Sequence, residues 1–557
     1  MAVEKILSNK TGGKAILLGN EAIIRGALEA GVDFVSTYPG TPASEIGNIF
    51  FGLSRKGNFQ GYFEFSTNEK IALEAGMGAS FSGLKTLVAM KNFGANVALD
   101  ALLPFVYTGS KGPTVIIVAD DPSCHSSAQS EENSRGLASL AHLPILEPSD
   151  PQECKDFVKL AFQISAQFEI PVMVRTTTRV AHQRAIVKLD KFVSRQLPVA
   201  GKFVKNPKKF VTLPPRVLEM KKELLEKIKK IQEFAERSPI NRIGNGKSEN
   251  REVGIITSGV SYLYVKEALK ELGLDLPLLK LGFFYPLPKK KIENFIKKLK
   301  KVLIIEELEP YLEKELLALA KQSNCRLAVI GKKLIPEIGE LNPEIIVSAV
   351  AELSGKKYKK PAVVGYRLPA RRLPRLCPGC PYWLVFEAVK KAIDPEKTVF
   401  GGDIGCYMLF GTPAMGFQDY LSCMGSSIGI AHGIKKATGR RKAGAAEQKL
   451  IAFIGDSTFF HSGIPALINT VFNKSNPLII ILDNQTTAMT GHQPHPGAPV
   501  EPNGIKMENI VRACGVKHLK IIDQVNQKEF IDTVKEFSAK PEVSVIIARR
   551  PCIQIKK

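Results

Sequence analysis

Two short strings in the last third of the chain carry the residue types that grip a metal-bound phosphate: Ile454-Gly455-Asp456-Ser457 and Leu482-Asp483-Asn484-Gln485-Thr486. Each follows an apolar run, Leu450 to Ile454 and Leu478 to Leu482, that reads as a buried strand. Glycine lets a backbone come close to a phosphate. An aspartate and a neutral amide at neighbouring strand ends offer the hard oxygen ligands that magnesium prefers. The separation is 26 residues between Ser457 and Asn484. On residue types alone, two strand ends whose side chains cap the following helices account for the strings equally well.

The pair resembles the diphosphate-binding motif of thiamine diphosphate enzymes, a Gly-Asp-Gly element followed at about this distance by asparagine, with Ser457 in place of the last glycine. That resemblance implies cofactor contacts from Gly455, Asp456, Ser457, Thr458, Asn484 and Thr486. Magnesium would be held by the side chains of Asp456 and Asn484 and the backbone carbonyl of Thr486. A second element is similar too. Glu69 opens Glu69-Lys70-Ile71-Ala72-Leu73-Glu74-Ala75-Gly76-Met77-Gly78, and Gly78 lies nine residues after it, the spacing at which thiamine enzymes place their glutamate before a helix glycine. There the carboxyl holds a proton against the aminopyrimidine ring of the coenzyme, so that the thiazolium carbon can lose its own. Such work calls for a site out of water, because desolvation makes a carboxyl a better proton donor. A solvated glutamate on a helix face is the plainer reading.

Further strings narrow the likeness: Tyr38-Pro39-Gly40-Thr41-Pro42, Lys91-Asn92-Phe93-Gly94-Ala95-Asn96, His125-Ser126-Ser127, Arg175-Thr176-Thr177-Thr178-Arg179, Thr458-Phe459-Phe460-His461-Ser462-Gly463 and Gly491-His492-Gln493-Pro494-His495. In order and spacing they resemble the large subunit of indolepyruvate ferredoxin oxidoreductase from about residue 14 to residue 552. The resemblance implies that Thr41 contacts the substrate carboxylate and that Asn96 lies near the coenzyme, where a loop threonine and a helix-capping asparagine are the ordinary alternatives. Of the histidines in these strings, His461 ranks first as an acid or base because it follows Asp456 by only five positions.

The implied reaction is thiamine-dependent oxidative decarboxylation of an arylpyruvate. CoA takes the acyl group and ferredoxin takes the electrons, and the implied partners are a small (beta) subunit and a ferredoxin-like carrier. Electron transfer needs a redox centre. Cys377-Pro378-Gly379-Cys380, Cys406 and Cys552 form a reasonable 4Fe-4S ligand set, with zinc or four ordinary thiols as alternatives. The chain departs from the family pattern in two places. It stops at Lys557 without the family's C-terminal ferredoxin-like domain, and Tyr382 and Trp383, the only tryptophan, follow Cys380-Pro381 where histidine and arginine are usual. A non-oxidative thiamine-dependent decarboxylase or carboligase is therefore the competing function.

The elements that must position these groups are legible as alternation. In residues 15 to about 190, Ala15 to Leu18, Phe34 to Tyr38, Thr86 to Met90, Val115 to Val118 and Val172 to Val174 read as strands with helices between them, the pattern of a parallel sheet covered on both faces. The expected fold class is α/β, with three doubly wound parallel-sheet domains. The expected divisions are a pyrimidine-binding domain at 1–195, a helical connector at 196–250 that includes a polar tract from Ser238 to Asn250, a transketolase C-terminal-like domain at 251–360, and a diphosphate-binding domain at 361–557, with its first elements near Tyr366. Because Glu69 and Asp456 fall in different domains, a homodimer within a hetero-oligomer is expected to complete the site.

Composition excludes other classes. Hydrophobic residues at 44% and charged residues at 24% are the usage of a soluble globular protein. The net charge of +23 is concentrated in Lys202 to Lys230 and Lys289 to Lys301, where Phe203, Phe210 and Phe295 are the only aromatic residues, too few for a base-stacking platform, so a solvated lysine face is expected rather than a nucleic-acid site. The first fourteen residues lack a signal-peptide core, and no run has the length of a membrane span. The expectation is a cytoplasmic protein whose nine cysteines form no disulfide framework.

Overall fold

The computed structural model describes residues 2–8, 12–127, 129–191, 200–244, 252–358, 375–412, 415–438, 448–499 and 503–555. The chain forms two compact units, Met1–Val364 and Gly365–Lys557. The expected opening of the last domain near Tyr366 and the end of the polar tract, residues 245–250, lie outside the described residues.

Among the described residues the first unit holds two large sheets, parallel except at one edge each, and a separate two-stranded ribbon. The larger has seven strands in the order Phe283–Tyr285, Ile145–Leu146, Val172–Thr177, Thr114–Asp120, Thr86–Lys91, Phe34–Thr37 and Tyr62–Phe65, with only Phe283–Tyr285 antiparallel. Its central strand, Thr114–Asp120, is buried at every position because helices cover both faces, which is why its sequence runs apolar without alternation. The helices start where side chains satisfy their free N–H groups: Asn68 accepts from the Ile71 N–H at 2.9 Å and opens Glu69–Phe81, while Asp150, followed by Pro151, accepts from Glu153. The second sheet runs Ala328–Ile330, Lys301–Ile305, Val253–Ser258, Leu278–Leu281 and Arg242–Gly244, the last antiparallel.

One expected strand sits elsewhere. Lys14–Leu18 does not enter the large sheet but pairs antiparallel with Arg184–Lys188, with Ile16 opposite Ile186. The reason is visible in its pattern: Ile16 is 56% and Ile186 64% exposed, so the ribbon has one wet face, whereas the sheet's inner strands are dry on both. The connector is chiefly the helix Arg216–Arg237, which buries Met220, Leu224, Ile231 and Ala235 and turns its lysines outward.

A buried ion network joins the two sheets of this unit. Arg135 forks onto Glu147 at 2.6 and 2.7 Å, donates to Ser258 Oγ at 2.8 Å, lies 3.5 Å from Glu306 and covers the Phe284 ring. Arg175 bonds Asp120 and lies 3.4 Å from Glu147. Burial alone would raise the Glu147 carboxyl, yet the two guanidinium groups hold it down at about 2. Glu307 has weaker compensation, and burial pushes it up to about 7.

The second unit is one all-parallel sheet in the order Thr398–Gly401, Lys449–Gly455, Leu478–Asp483, Ser544–Arg549 and His518–Ile522. No helix among the described residues is long and apolar enough to cross a membrane, and the nine cysteines are all unpaired.

Replacing Arg135 by methionine would leave Glu147 and Glu306 buried with reduced compensation, and the first unit is expected to lose about 3–5 kcal/mol in chemical denaturation. The depressed Glu147 group contributes stability that is complete above about pH 4.5 and is lost as pH falls toward 2. Acid unfolding of the wild type should therefore steepen in that window, and an R135M variant should show a shallower dependence there.

Candidate functional site

In the second unit, register decides which side chains meet. Ile454 lies beside Ile481 and Gly455 beside Leu482, so the two strands finish together and their next residues emerge at the same carboxyl edge, where ligands of open α/β sheets bind. Asp456 and Asn484 are both buried there. The Asp456 carboxylate is fixed from three segments. Its Oδ1 accepts from the Ser457 N–H at 2.8 Å, and its Oδ2 accepts from the Gln485 N–H at 2.7 Å and from His495 Nε2 at 3.1 Å. His495 Nδ1 itself accepts from the Gly497 N–H at 3.1 Å, which assigns the ring hydrogen to Nε2. Gln485 reaches Asp456 with a left-handed backbone, φ 65°, a conformation whose cost of order 1 kcal/mol is tolerated where surrounding bonds over-determine it.

Asn484 is oriented by the Thr486 N–H, which donates to its Oδ1 at 3.2 Å. Ser457, the departure from glycine, sits in a helical turn that needs no special backbone, and its hydroxyl accepts from Thr487 at 2.9 Å, tying the two strand-end loops together. A Cβ on Gly455 would come within 2.9 Å of the Tyr407 ring, so a glycine is required. Thr458 donates to the Ile404 carbonyl at 2.9 Å and Thr486 to the Gln493 carbonyl at 3.4 Å, so both hydroxyls brace the loops. Carboxylate, carboxamide and backbone carbonyl gathered at one edge are hard oxygen donors that could hold a magnesium ion with its diphosphate.

Next to this edge lies a cavity of about 120 Å³ lined by Cys377, Cys380, Cys406 and Cys552 together with Tyr382 and Asn484. Four cysteines from three separate segments thus face one space. The Cys552 N–H donates to the Asn484 carbonyl at 3.0 Å, binding the cavity to the oxygen-donor edge. Burial pushes the Cys380 and Cys406 thiols up to about 11, so without a neighbouring cation they stay protonated at neutral pH. Among the described residues no three His, Cys, Asp or Glu side chains could hold a metal ion between them, which is not the arrangement of a closed zinc site. In a cubane each thiolate binds its own iron, so the four sulfurs need not converge on one atom. Tyr382 lines the cavity, whereas Trp383 is partly solvent-exposed. His461 pairs with Ser462 Oγ at 2.6 Å, and Ser462 donates to the Met424 carbonyl; the histidine that reaches Asp456 is His495.

In the first unit, Glu69 is 6% exposed and opens its helix, where a carboxylate is favoured by the free N–H groups of the first turn. It packs on Gly94: a Cβ there would lie 2.5 Å from Glu69 Cγ and 2.7 Å from Oε1. Thr41 follows the strand Phe34–Thr37 at the same carboxyl edge, with its hydroxyl 3.4 Å from Ser44 Oγ and its carbonyl accepting from Ser126 Oγ at 3.5 Å. Asn96 is the fifth residue of Asn92–Thr108 rather than its cap, is exposed, and donates to Glu132 at 2.9 Å. Gly94 and His495 stood in the quoted strings without distinction, because only packing reveals that one leaves room for Glu69 and the other orients Asp456.

Comparison with known proteins gives the class first. Residues 25–235 match the model of the pyruvate flavodoxin/ferredoxin oxidoreductase thiamine diphosphate-binding family, and residues 403–548 match the C-terminal TPP-binding domain of thiamine pyrophosphate enzymes. These are the parts of a thiamine diphosphate-dependent 2-oxo acid oxidoreductase. Indolepyruvate oxidoreductase subunit IorA of Methanothermobacter thermautotrophicus is 44% identical over 565 residues, covering 99% of this chain and 89% of that one. The same subunit of Pyrococcus horikoshii is 42% identical over 572 residues, covering 98% and 87%. The chain belongs to the indolepyruvate oxidoreductase subunit IorA family. A solved 2-oxoglutarate:ferredoxin oxidoreductase from Magnetococcus marinus is similar at 18% identity and a TM-score of 0.49, over 61% of this chain and 65% of that one.

Gly94→Ala should overpack Glu69 and weaken thiamine diphosphate binding about 10- to 100-fold, measured by calorimetric titration with magnesium present. His495→Phe keeps the bulk but removes the N–H on Asp456, and should raise the magnesium concentration for half-saturation about 10-fold or more without changing the melting temperature of the magnesium-free protein.

Proposed function

We propose that the chain is the catalytic subunit of an arylpyruvate oxidoreductase that decarboxylates its substrate oxidatively, gives the acyl group to CoA, and passes electrons through a 4Fe-4S cluster on Cys377, Cys380, Cys406 and Cys552 to a ferredoxin-type carrier. The observation that carries this reading is the four-cysteine cavity sharing Asn484 with the oxygen-donor edge. A non-oxidative decarboxylase has no use for four thiols beside its diphosphate grip.

In this reading Asp456, Asn484 and the Thr486 carbonyl hold magnesium, and Gly455, Ser457 and Thr458 form the wall along the diphosphate. When bound, thiamine diphosphate supplies the carbanion that attacks the 2-oxo carbon and the electron sink that lets carbon dioxide leave. Glu69, kept from water against Gly94, exchanges a proton with the aminopyrimidine nitrogen. Thr41 donates to the substrate carboxylate, Asn96 serves as a coenzyme-side polar group, and His461 serves as an acid or base near Asp456. The relatives' designation as subunits supports a second, small subunit. A homodimer of this chain within the complex is part of the same reading.

Anaerobic co-purification with the small subunit, followed by arylpyruvate and CoA with a viologen acceptor, tests the reading. Dye reduction strictly dependent on CoA, with about four irons per chain, is the expected result. Arylacetaldehyde release without dye reduction would establish the non-oxidative alternative. Glu69→Gln should lower kcat about 100-fold or more while leaving coenzyme affinity within a few-fold, read by steady-state kinetics and titration.

A further inference from the structure

Lys91 ends the strand Thr86–Lys91, whose preceding residues Leu87 to Met90 are fully buried between two neighbouring strands. The strand therefore fixes where this lysine emerges, at the carboxyl edge that also carries Thr41 and Glu69. Its stem passes Gly40, where a Cβ would come within 2.8 Å of Lys91 Cβ, so the glycine beside Thr41 makes room for the lysine. The ammonium donates to the Ser126 carbonyl at 3.0 Å and lies 5.0 Å from the Phe93 ring centre. Ser126 in turn donates to the Thr41 carbonyl, so the ammonium and Thr41 flank a single serine.

The acidic groups facing Lys91 are Asp121 and Glu69, together with the Cys124 thiol, which burial keeps in its neutral form. Asp121 is already occupied by four donors, the Ser126 N–H and the hydroxyls of Ser126, Ser127 and Thr178, at 2.6 to 3.0 Å. Lys91 itself is bonded to a neutral carbonyl. Partial burial lowers its pKa to about 8, so at neutral pH the half-buried ammonium is still mostly cationic, and one neutral carbonyl leaves it donors to spare.

We propose that Lys91 is a substrate-binding residue that takes the carboxylate of the 2-oxo acid beside Thr41. The inference rests on the function proposed above. A cation on a carboxylate that departs as neutral carbon dioxide stabilises the bound substrate more than the transition state, so its contribution falls on KM rather than on kcat.

The test uses the complete complex with K91M and K91R. For K91M the KM for arylpyruvate should rise about 10- to 100-fold while kcat holds or rises and the KM for CoA and the affinity for thiamine diphosphate stay unchanged. K91R, which keeps the charge, should recover most of the loss. An unchanged arylpyruvate KM in K91M would overturn the proposal. So would a rise in the CoA KM instead, or a joint fall of kcat and coenzyme affinity in both variants, which marks a scaffold role. Should K91M not fold, K91Q takes its place in the same measurement. A wild-type complex that turns over no arylpyruvate would instead overturn the function on which the inference rests.

Discussion

The hydrogen-bonded register of two dry strands, Lys449–Gly455 and Leu478–Asp483, is the constraint on which the second unit's chemistry depends. A slip of one residue would turn every side chain to the opposite face and send Asp456 and Asn484 to different sides of the sheet. Ladders of isoleucine and leucine buried on both faces hold that register through packing. The polar edge can then be crowded with donors and acceptors, since the apolar strands behind it carry the cost of ordering it.

Asp456 illustrates what such ordering yields. Both of its oxygens are engaged by protein N–H groups, so the carboxylate is held in one orientation by the protein alone, and Gln485 accepts an unfavourable backbone angle to provide one of those bonds. Asp403 works in a similar way one loop away. Its buried carboxylate accepts from the N–H groups of Ile404, Gly425 and Ser427 and holds the segment that leads to Cys406, and burial pushes it up to about 6. Asp456 stood out in its motif, whereas nothing in the sequence around Asp403 marked it.

The strands that end at the site were legible because their apolar runs are continuous and bounded by glycine and aspartate, as at Ile454-Gly455-Asp456. What stayed hidden was anything decided by packing. The strand Ile145–Leu146 has two residues and gives no periodic signal, and Lys14–Leu18 is as apolar as an inner strand although it forms a separate ribbon. For the site, spacing singled out Glu69, Asp456 and Asn484 and ranked His461 first among the histidines, whereas the imidazole that turns toward the Asp456 carboxylate is that of His495, 39 residues away, a contact that nearness along the chain does not reveal. The lysine at position 91 showed nothing until the glycine at 40 was seen to leave space for its stem.

The arginine network has a mechanical corollary. Because Arg135 and Arg175 bind groups from both sheets of the first unit in the absence of water, swinging those sheets apart would expose or strand several charges at once, at a cost far above thermal energy. This seam is therefore a weld and not a hinge. Any motion needed to admit a 2-oxo acid is then left to the loops at the strands' carboxyl edge, Tyr38 to Pro42 and His125 to Ser127, which lie outside the arginine network.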